Sequence, residues 1–194
     1  MSAAGISAED AASVLAAAEP VLHRAQVDAA YGCLARDIQA ALAGHSPLVL
    51  VCMVGGMIPA AELLSRMQMQ LEVDYVHATR YRGGTSGHDV QWRVSPSRSL
   101  HGRHVLVVDD ILDEGHTLAA ILHGVRAAGA ASVRSAVLVE KCHDRRVAGL
   151  AADFVGAQVP DRYVFGCGMD YKGWHRQLPA IYAVAEPAAS GRMA

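Results

Sequence analysis

Aromatic side chains are scarce in this chain: two Phe, two Trp and six Tyr make up 5% of its 194 residues. Ala, Val and Leu must therefore build most of any core. The 52% apolar content and mean hydropathy of +0.20 supply enough of them to bury one. Disulfide and zinc spacing is also missing, because Cys33, Cys52, Cys142 and Cys167 lie far apart with no C-x-x-C pair. That pattern fits free thiols in a reducing compartment rather than a stapled secreted fold. An excess of one charge is absent too, since the formal net charge is −2 and no long run of Lys or Arg occurs. Sequence-independent nucleic-acid binding needs clustered cations, so that class is disfavoured. No uncharged apolar run approaches the roughly 18–20 residues that span a bilayer. The Ala-rich N-terminus is broken by Glu9 and Asp10, with no basic stretch before an apolar one, so neither a secretory signal nor a transit peptide is expected. The expected address is the cytoplasm, with no membrane partner.

The length suits one domain, taken as residues 1–194: N-terminal helices over 1–44, a core with a small appendage over 45–186, and a frayed tail over 187–194. Ser7 with Asp10 forms a helix-start signal, and a helix should run to about Glu19, before Pro20. A second helix is expected from Val21 to Leu42, ended by Gly44. Beyond it, short apolar runs alternate with helical segments: Pro47–Val54, Met57–Met69, Val105–Val108, Thr117–Ala128 and Val133–Val139. Near-continuous Val, Leu and Ile strands separated by helices predict an α/β fold, a mainly parallel sheet flanked by helices. Val73–Tyr81 and Val90–Val94 each alternate and read as a hairpin, whose Gly-rich tip Gly83-Gly84-Thr85-Ser86-Gly87 cannot pack a core. Three more runs follow, Asp153–Val159, Tyr163–Cys167 and Ile181–Ala185. Met57, Met67 and Met69 are expected as core filler.

Chemistry concentrates in one stretch, Val105-Leu-Val-Val-Asp109-Asp110-Ile-Leu-Asp113-Glu114-Gly115-His116-Thr117. A strand brings two adjacent carboxylates to its C-terminal end, where parallel sheets place ligands. A short turn then opens a helix, whose N-terminal amides and positive dipole end suit a phosphate. Gly115 permits close backbone approach and Thr117 offers a hydroxyl. Carboxylates beside a phosphate site need a reason, and a ribose cis-diol or Mg²⁺ supplies one. Together these features describe a ribose 5-phosphate cradle.

This stretch resembles the phosphoribosyl-diphosphate-binding motif of the type I phosphoribosyltransferases, and the chain from about Leu48 to Glu186 resembles their hypoxanthine-guanine branch. The resemblance implies that family's fold, with a small hood and a flexible lid hairpin, and transfer of a 5-phosphoribosyl group from its diphosphate to a 6-oxopurine. It implies that Asp109 and Asp110 bind the ribose hydroxyls and Mg²⁺, that Asp113 is the general base near purine N7, and that Glu114–Thr117 hold the 5-phosphate. Many relatives have Thr and Lys where this chain has Glu114 and His116. Val54-Gly55-Gly56 matches the pyrophosphate loop, which in the family often carries a cis peptide, and Val54 replaces a frequent Lys or Arg.

Further along, the hairpin tip with Tyr81 matches the lid. Lys141 falls where the family meets the exocyclic 6-oxygen, Tyr163 where it stacks on the base, and Val164 and Asp170 where backbone groups read the purine edge. Asp170 is a third expected Mg²⁺ contact, and Arg176 stands at the pyrophosphate arginine. Relatives generally associate, so a homodimer or homotetramer is implied. Two alternatives stay open: a xanthine- or pyrimidine-preferring transferase, and a nucleic-acid-binding regulator resting on Arg134, Arg145 and Arg146. His101 and His104 read as surface residues rather than zinc ligands.

Overall fold

The computed structural model describes residues 5–80 and 90–185. In chain order it contains α1 (Ala8–Ala17), β1 (Glu19–Leu22), α2 (Arg24–Leu42), β2 (Leu48–Cys52), α3 (Met57–Leu64), β3 (Glu72–Arg80), β4 (Val90–Val94), β5 (His104–Leu112), α4 (His116–Ala127), β6 (Ser132–Lys141), β7 (Phe154–Val159), β8 (Val164–Phe165) and β9 (Ile181–Ala183). Six strands form one sheet in the order β4-β3-β2-β5-β6-β7, parallel except for β4. A separate antiparallel sheet, β1-β9-β8, forms the hood.

The apolar strands are buried on both faces, and their alternation decides which layer each residue joins. Val49 and Val51 of β2 with Leu106 and Val108 of β5 face α2 and α3, packing on Leu34, Ile38 and Leu63. Leu48, Leu50, Val105 and Val107 face α4, meeting Leu118, Ile121 and Val125. Aliphatic side chains supply almost all of this, as the shortage of aromatics requires; among the described residues Tyr31 is the fully buried ring of these layers, and Phe165 is buried in β8 of the small sheet.

Three expectations are corrected. Pro20 is not a bare break between two helices but sits in a strand between them, β1, paired with Tyr182 of β9, and α2 starts later than expected, at Arg24. Proline lacks the donor a central strand needs, and β1 lies at a sheet edge, where that costs little. Helix α3 stops at Leu64, short of Met69. Met67 and Met69 pack against the core, but Met57, in the first turn of α3, is 45% exposed. The Ser7 signal is met in full: its hydroxyl accepts from Asp10 N–H at 3.0 Å and Asp10 accepts from Ser7 N–H at 3.2 Å.

Candidate active site

From β2 the chain crosses to β3 on one side of the sheet, and β5 flanks β2 on the other, so a crevice opens at the C-terminal ends of β2 and β5. Both strand ends are built for close approach. After β2 the Met53–Val54 peptide is cis, and Gly55 and Gly56 follow. A Cβ on Gly56 would lie 2.6 Å from the Val108 carbonyl and 2.8 Å from the Cys52 carbonyl, so this turn is pressed against β5. Gly55 lies directly against the Asp110 carboxylate, and Gly168 against the Gly55 carbonyl.

Asp109 and Asp110 lie within β5. Asp110 N–H donates to Asp109 Oδ1 at 3.0 Å and Ile111 N–H to Asp110 Oδ1 at 2.8 Å. Burial pushes both carboxyls up, and for Asp109 the neighbouring Asp110 charge adds to it. A cation at this spot would relieve both. Gly115 takes φ +84 and caps α4 with no side-chain partner, leaving the helix start for a ligand. A cavity of about 380 Å³ is lined by Asp109, Asp110, Ile111 and the whole turn from Asp113 to Leu118.

A second cavity, about 360 Å³, adjoins the first and shares Asp110, Ile111 and Asp113 with it. Lys141, Tyr163, Val164, Met169 and Asp170 complete its lining. Tyr163 is 51% exposed, lines this cavity and meets Tyr171 in a T-shaped contact at 5.3 Å. Arg176 joins the two regions: it donates to the Gly168 carbonyl at 2.6 Å, pairs with Asp170 at 2.6 Å and stands 4.0 Å from Asp110. Asp110 and Asp170 therefore converge on a position already taken by a cation.

Asp113 sits at the junction of the cavities. Its Oδ2 accepts from Lys141 Nζ and its Oδ1 from His143 Nε2, each at 2.7 Å. Partial burial raises this carboxyl, but the hydrogen bonds from Lys141 and His143, together with the Lys141 charge, outweigh it and hold the group below the usual carboxylate range. Glu114 stands 3.6 Å from His116 Nε2, and its carbonyl accepts from Val147 N–H at 2.9 Å, tying the turn to the loop after β6.

The structure thus brings together Asp109, Asp110, Asp113, Glu114, Gly115, His116 and Thr117 around one cavity, and Lys141, Tyr163, Val164 and Asp170 around the other, with Gly55, Gly56 and Arg176 bordering them. The lid residues Tyr81, Gly83, Gly84, Thr85, Ser86 and Gly87 lie outside the described residues. His143 was not anticipated; a lone histidine two positions after a strand has no local signature, and folding alone carries it to Asp113. Asp113, His143 and Asp161 lie close enough to hold a metal ion. Lys141 and a two-pronged Arg145–Asp161 pair already neutralise those carboxylates, so the group is read as an ion-pair network.

The arginines that favoured a nucleic-acid regulator are all engaged. Arg134 pairs with Asp153, Arg145 with Asp161 and Arg146 with Glu140. His104 packs at a tilt against His45, 4.4 Å between ring centroids, and bonds Ser132, as suits a structural rather than a metal-binding histidine.

The family model described as the phosphoribosyl transferase domain matches residues 21–172. The hypoxanthine-guanine phosphoribosyltransferase of Streptococcus pneumoniae is 36% identical over 150 residues, covering 76% of this chain and 82% of that protein. The bifunctional protein TilS/HprT of Listeria innocua is also 36% identical, over 149 residues; the match spans 76% of this chain and 23% of that longer protein. Among solved structures, a hypoxanthine phosphoribosyltransferase from Staphylococcus aureus superposes with a TM-score of 0.79 at 29% identity, covering 86% of this chain and 91% of that one.

Proposed function

This chain belongs to the phosphoribosyl transferase domain family, and on that premise we propose that it works in purine salvage as a hypoxanthine-guanine phosphoribosyltransferase. It takes hypoxanthine or guanine and 5-phosphoribosyl 1-diphosphate to the nucleoside 5-monophosphate and pyrophosphate. The observation that carries this reading is the pair of adjoining cavities that share Asp113. One offers adjacent carboxylates and an uncapped helix start, the chemistry of a ribose 5-phosphate. The other offers an exposed aromatic ring and a lysine, the chemistry of a flat oxo-base.

In this reading Asp109 and Asp110 accept hydrogen bonds from the ribose hydroxyls, and Glu114–Thr117 wrap the 5-phosphate with backbone amides. Gly55, Gly56 and Arg176 receive the pyrophosphate. Tyr163 stacks on the base, Val164 and Asp170 present backbone groups to its edge, and Lys141 donates to its 6-oxygen. N9 forms its bond to ribose C1 as the bond to pyrophosphate breaks, and the N7 proton passes to Asp113. The protein's work is positioning and charge stabilisation, with general-base help of about 10²–10⁴-fold.

Mg²⁺ fits the donor set. Asp109, Asp110 and Asp170 offer hard carboxylate oxygens, and two of them already flank a guanidinium cation. When bound, the ion would neutralise the charge gathering on the leaving pyrophosphate. The family resemblance assigns to Tyr81 and Gly83–Gly87 the work of excluding water from the site.

Core and hood act as one catalytic unit in a homodimer or homotetramer. Val73 and Tyr75 project from one face of β3. Val54 and Met57 are exposed on the adjoining turn, which Met53 N–H ties to the Val76 carbonyl at 2.7 Å. Together they supply an apolar face of the kind that oligomers bury. Among the described residues no helix is long and apolar enough to cross a membrane.

The test is pyrophosphate release from phosphoribosyl diphosphate with Mg²⁺. Release should depend on an added 6-oxopurine; base-independent release, or none with any base, contradicts the reading.

A further inference from the structure

Asp113 has a protein partner on each carboxylate oxygen, and the two partners differ in their surroundings. Lys141 lines the base cavity together with Asp113, whereas His143 lines neither cavity and its side chain is 3% exposed. Lys141 is a flexible ammonium that can exchange Asp113 for the oxygen of an incoming base. The His143 ring is packed behind the carboxylate.

The tautomer of His143 follows from its own bonds. Arg145 N–H donates to Nδ1 at 3.1 Å, so that nitrogen carries a lone pair. In the neutral ring the proton is then on Nε2, which donates to Asp113 Oδ1. The carboxylate receives a fixed donor from a buried, planar group.

We propose that His143 is a positioning residue for the transfer: its Nε2–H holds Oδ1 and so fixes the plane of the Asp113 carboxylate, leaving Oδ2 to take the purine N7 proton once Lys141 has moved to the 6-oxygen. This rests on the reading of Asp113 as the general base. The step balances without the histidine changing state. The proton leaves N7 for Oδ2, N9 bonds to C1, the electron pair of the C1–O bond leaves with pyrophosphate, and the Nε2 proton stays in place.

The surrounding loop is held by ties that do not involve the imidazole ring. Arg145 grips Asp161 with both guanidinium prongs at 2.8 Å, Arg146 donates to the Lys141 carbonyl at 2.9 Å, and Val147 N–H donates to the Glu114 carbonyl at 2.9 Å. The last tie joins this loop to the turn that carries Asp113. Removing the ring should therefore leave the loop in place while freeing the carboxylate to rotate, and misorientation of a reacting group is costly in rate rather than in donor binding.

The experiment compares wild type, His143→Ala, His143→Gln and Asp113→Asn in single-turnover nucleotide formation from hypoxanthine, phosphoribosyl diphosphate and Mg²⁺, with KM and melting temperature measured alongside. Single turnover is needed because product release can mask chemistry. His143→Ala should slow formation by about 10- to 100-fold with the donor KM within about twofold of wild type. His143→Gln, whose amide N–H reaches about as far as Nε2, should recover to within roughly threefold. The proposal is overturned if His143→Ala forms nucleotide at the wild-type rate, or if His143→Gln is as slow as His143→Ala. It is equally overturned if the loss appears as a raised donor KM with a lowered melting temperature. Wild type that forms no nucleotide, or Asp113→Asn that forms it at full rate, defeats the assigned reaction or base and takes the proposal with it. If those two controls behave as expected, an unaffected His143→Ala defeats the His143 proposal alone.

Discussion

Lys141 Nζ lies 2.7 Å from Asp113 Oδ2, an ion pair between the cation assigned to the purine's 6-oxygen and the carboxylate assigned to its N7. The carboxylate assigned as the base is therefore engaged by the cation of the neighbouring cavity. On the proposed assignment, a 6-oxopurine would give the ammonium a new acceptor and in the same motion free a carboxylate oxygen beside N7, so that the accepted base would expose the group that activates it. An amino group at that position offers no such acceptor.

Asp113→Asn keeps the size and the acceptor oxygen but loses the basicity. Turnover should fall by about 10²–10⁴-fold, with affinity for phosphoribosyl diphosphate close to wild type, as measured by kcat and by donor titration. Undiminished turnover removes Asp113 from the role.

Lys141→Met removes the charged donor to the 6-oxygen. Such a bond contributes about 1.5–3 kcal/mol, so the KM for hypoxanthine should rise roughly 10- to 100-fold while that for the donor holds. An equal rise for both substrates would mean that Lys141 acts on the site as a whole.

Asp109→Asn separates stability from function. Burial and the Asp110 charge raise the Asp109 carboxyl, so the native state holds its proton more tightly than the unfolded chain does. Stability is then lost as pH rises from the ordinary carboxylate range through the raised value. At neutral pH the amide should raise the melting temperature of the free protein by a few degrees, about 1 kcal/mol, and weaken donor binding. A lowered melting temperature would show that the carboxylate is not strained.

Asp74 gives the opposite sign. It is 7% exposed, and burial alone would raise it, but hydrogen bonds from Arg98 N–H, Tyr75 N–H, and the Ser97 hydroxyl and N–H prevail and lower it. Its contribution is present above the unfolded value, about 3.9, and is lost as pH falls through that value towards the lower native one. Melting curves between neutral pH and pH 3 should show less acid sensitivity in Asp74→Asn than in wild type. An unchanged slope would discount the loop anchor.

Local features were legible in the sequence and distant ones were not. The strand, the paired acids, the left-handed Gly115 and the start of α4 are contiguous, so their chemistry could be read directly from residues 105–117. Strand β1 was not, because the pairing of Pro20 with Tyr182 joins the two ends of the chain and leaves no periodicity. His143 and Asp74 escaped for the same reason: each gains its role from a loop folding onto another element. Met57 misled because a helical apolar residue reads as core, whereas the first turn of α3 leaves its side chain in the open.

The central claim is tested most directly by incubating the protein with Mg²⁺, phosphoribosyl diphosphate and, separately, hypoxanthine, guanine, xanthine, adenine and uracil, and following nucleotide formation. The account requires product from hypoxanthine or guanine and none from adenine or uracil. Product mainly from xanthine or uracil would contradict the base assignment while keeping the transfer chemistry, and no product from any base would contradict the enzyme itself.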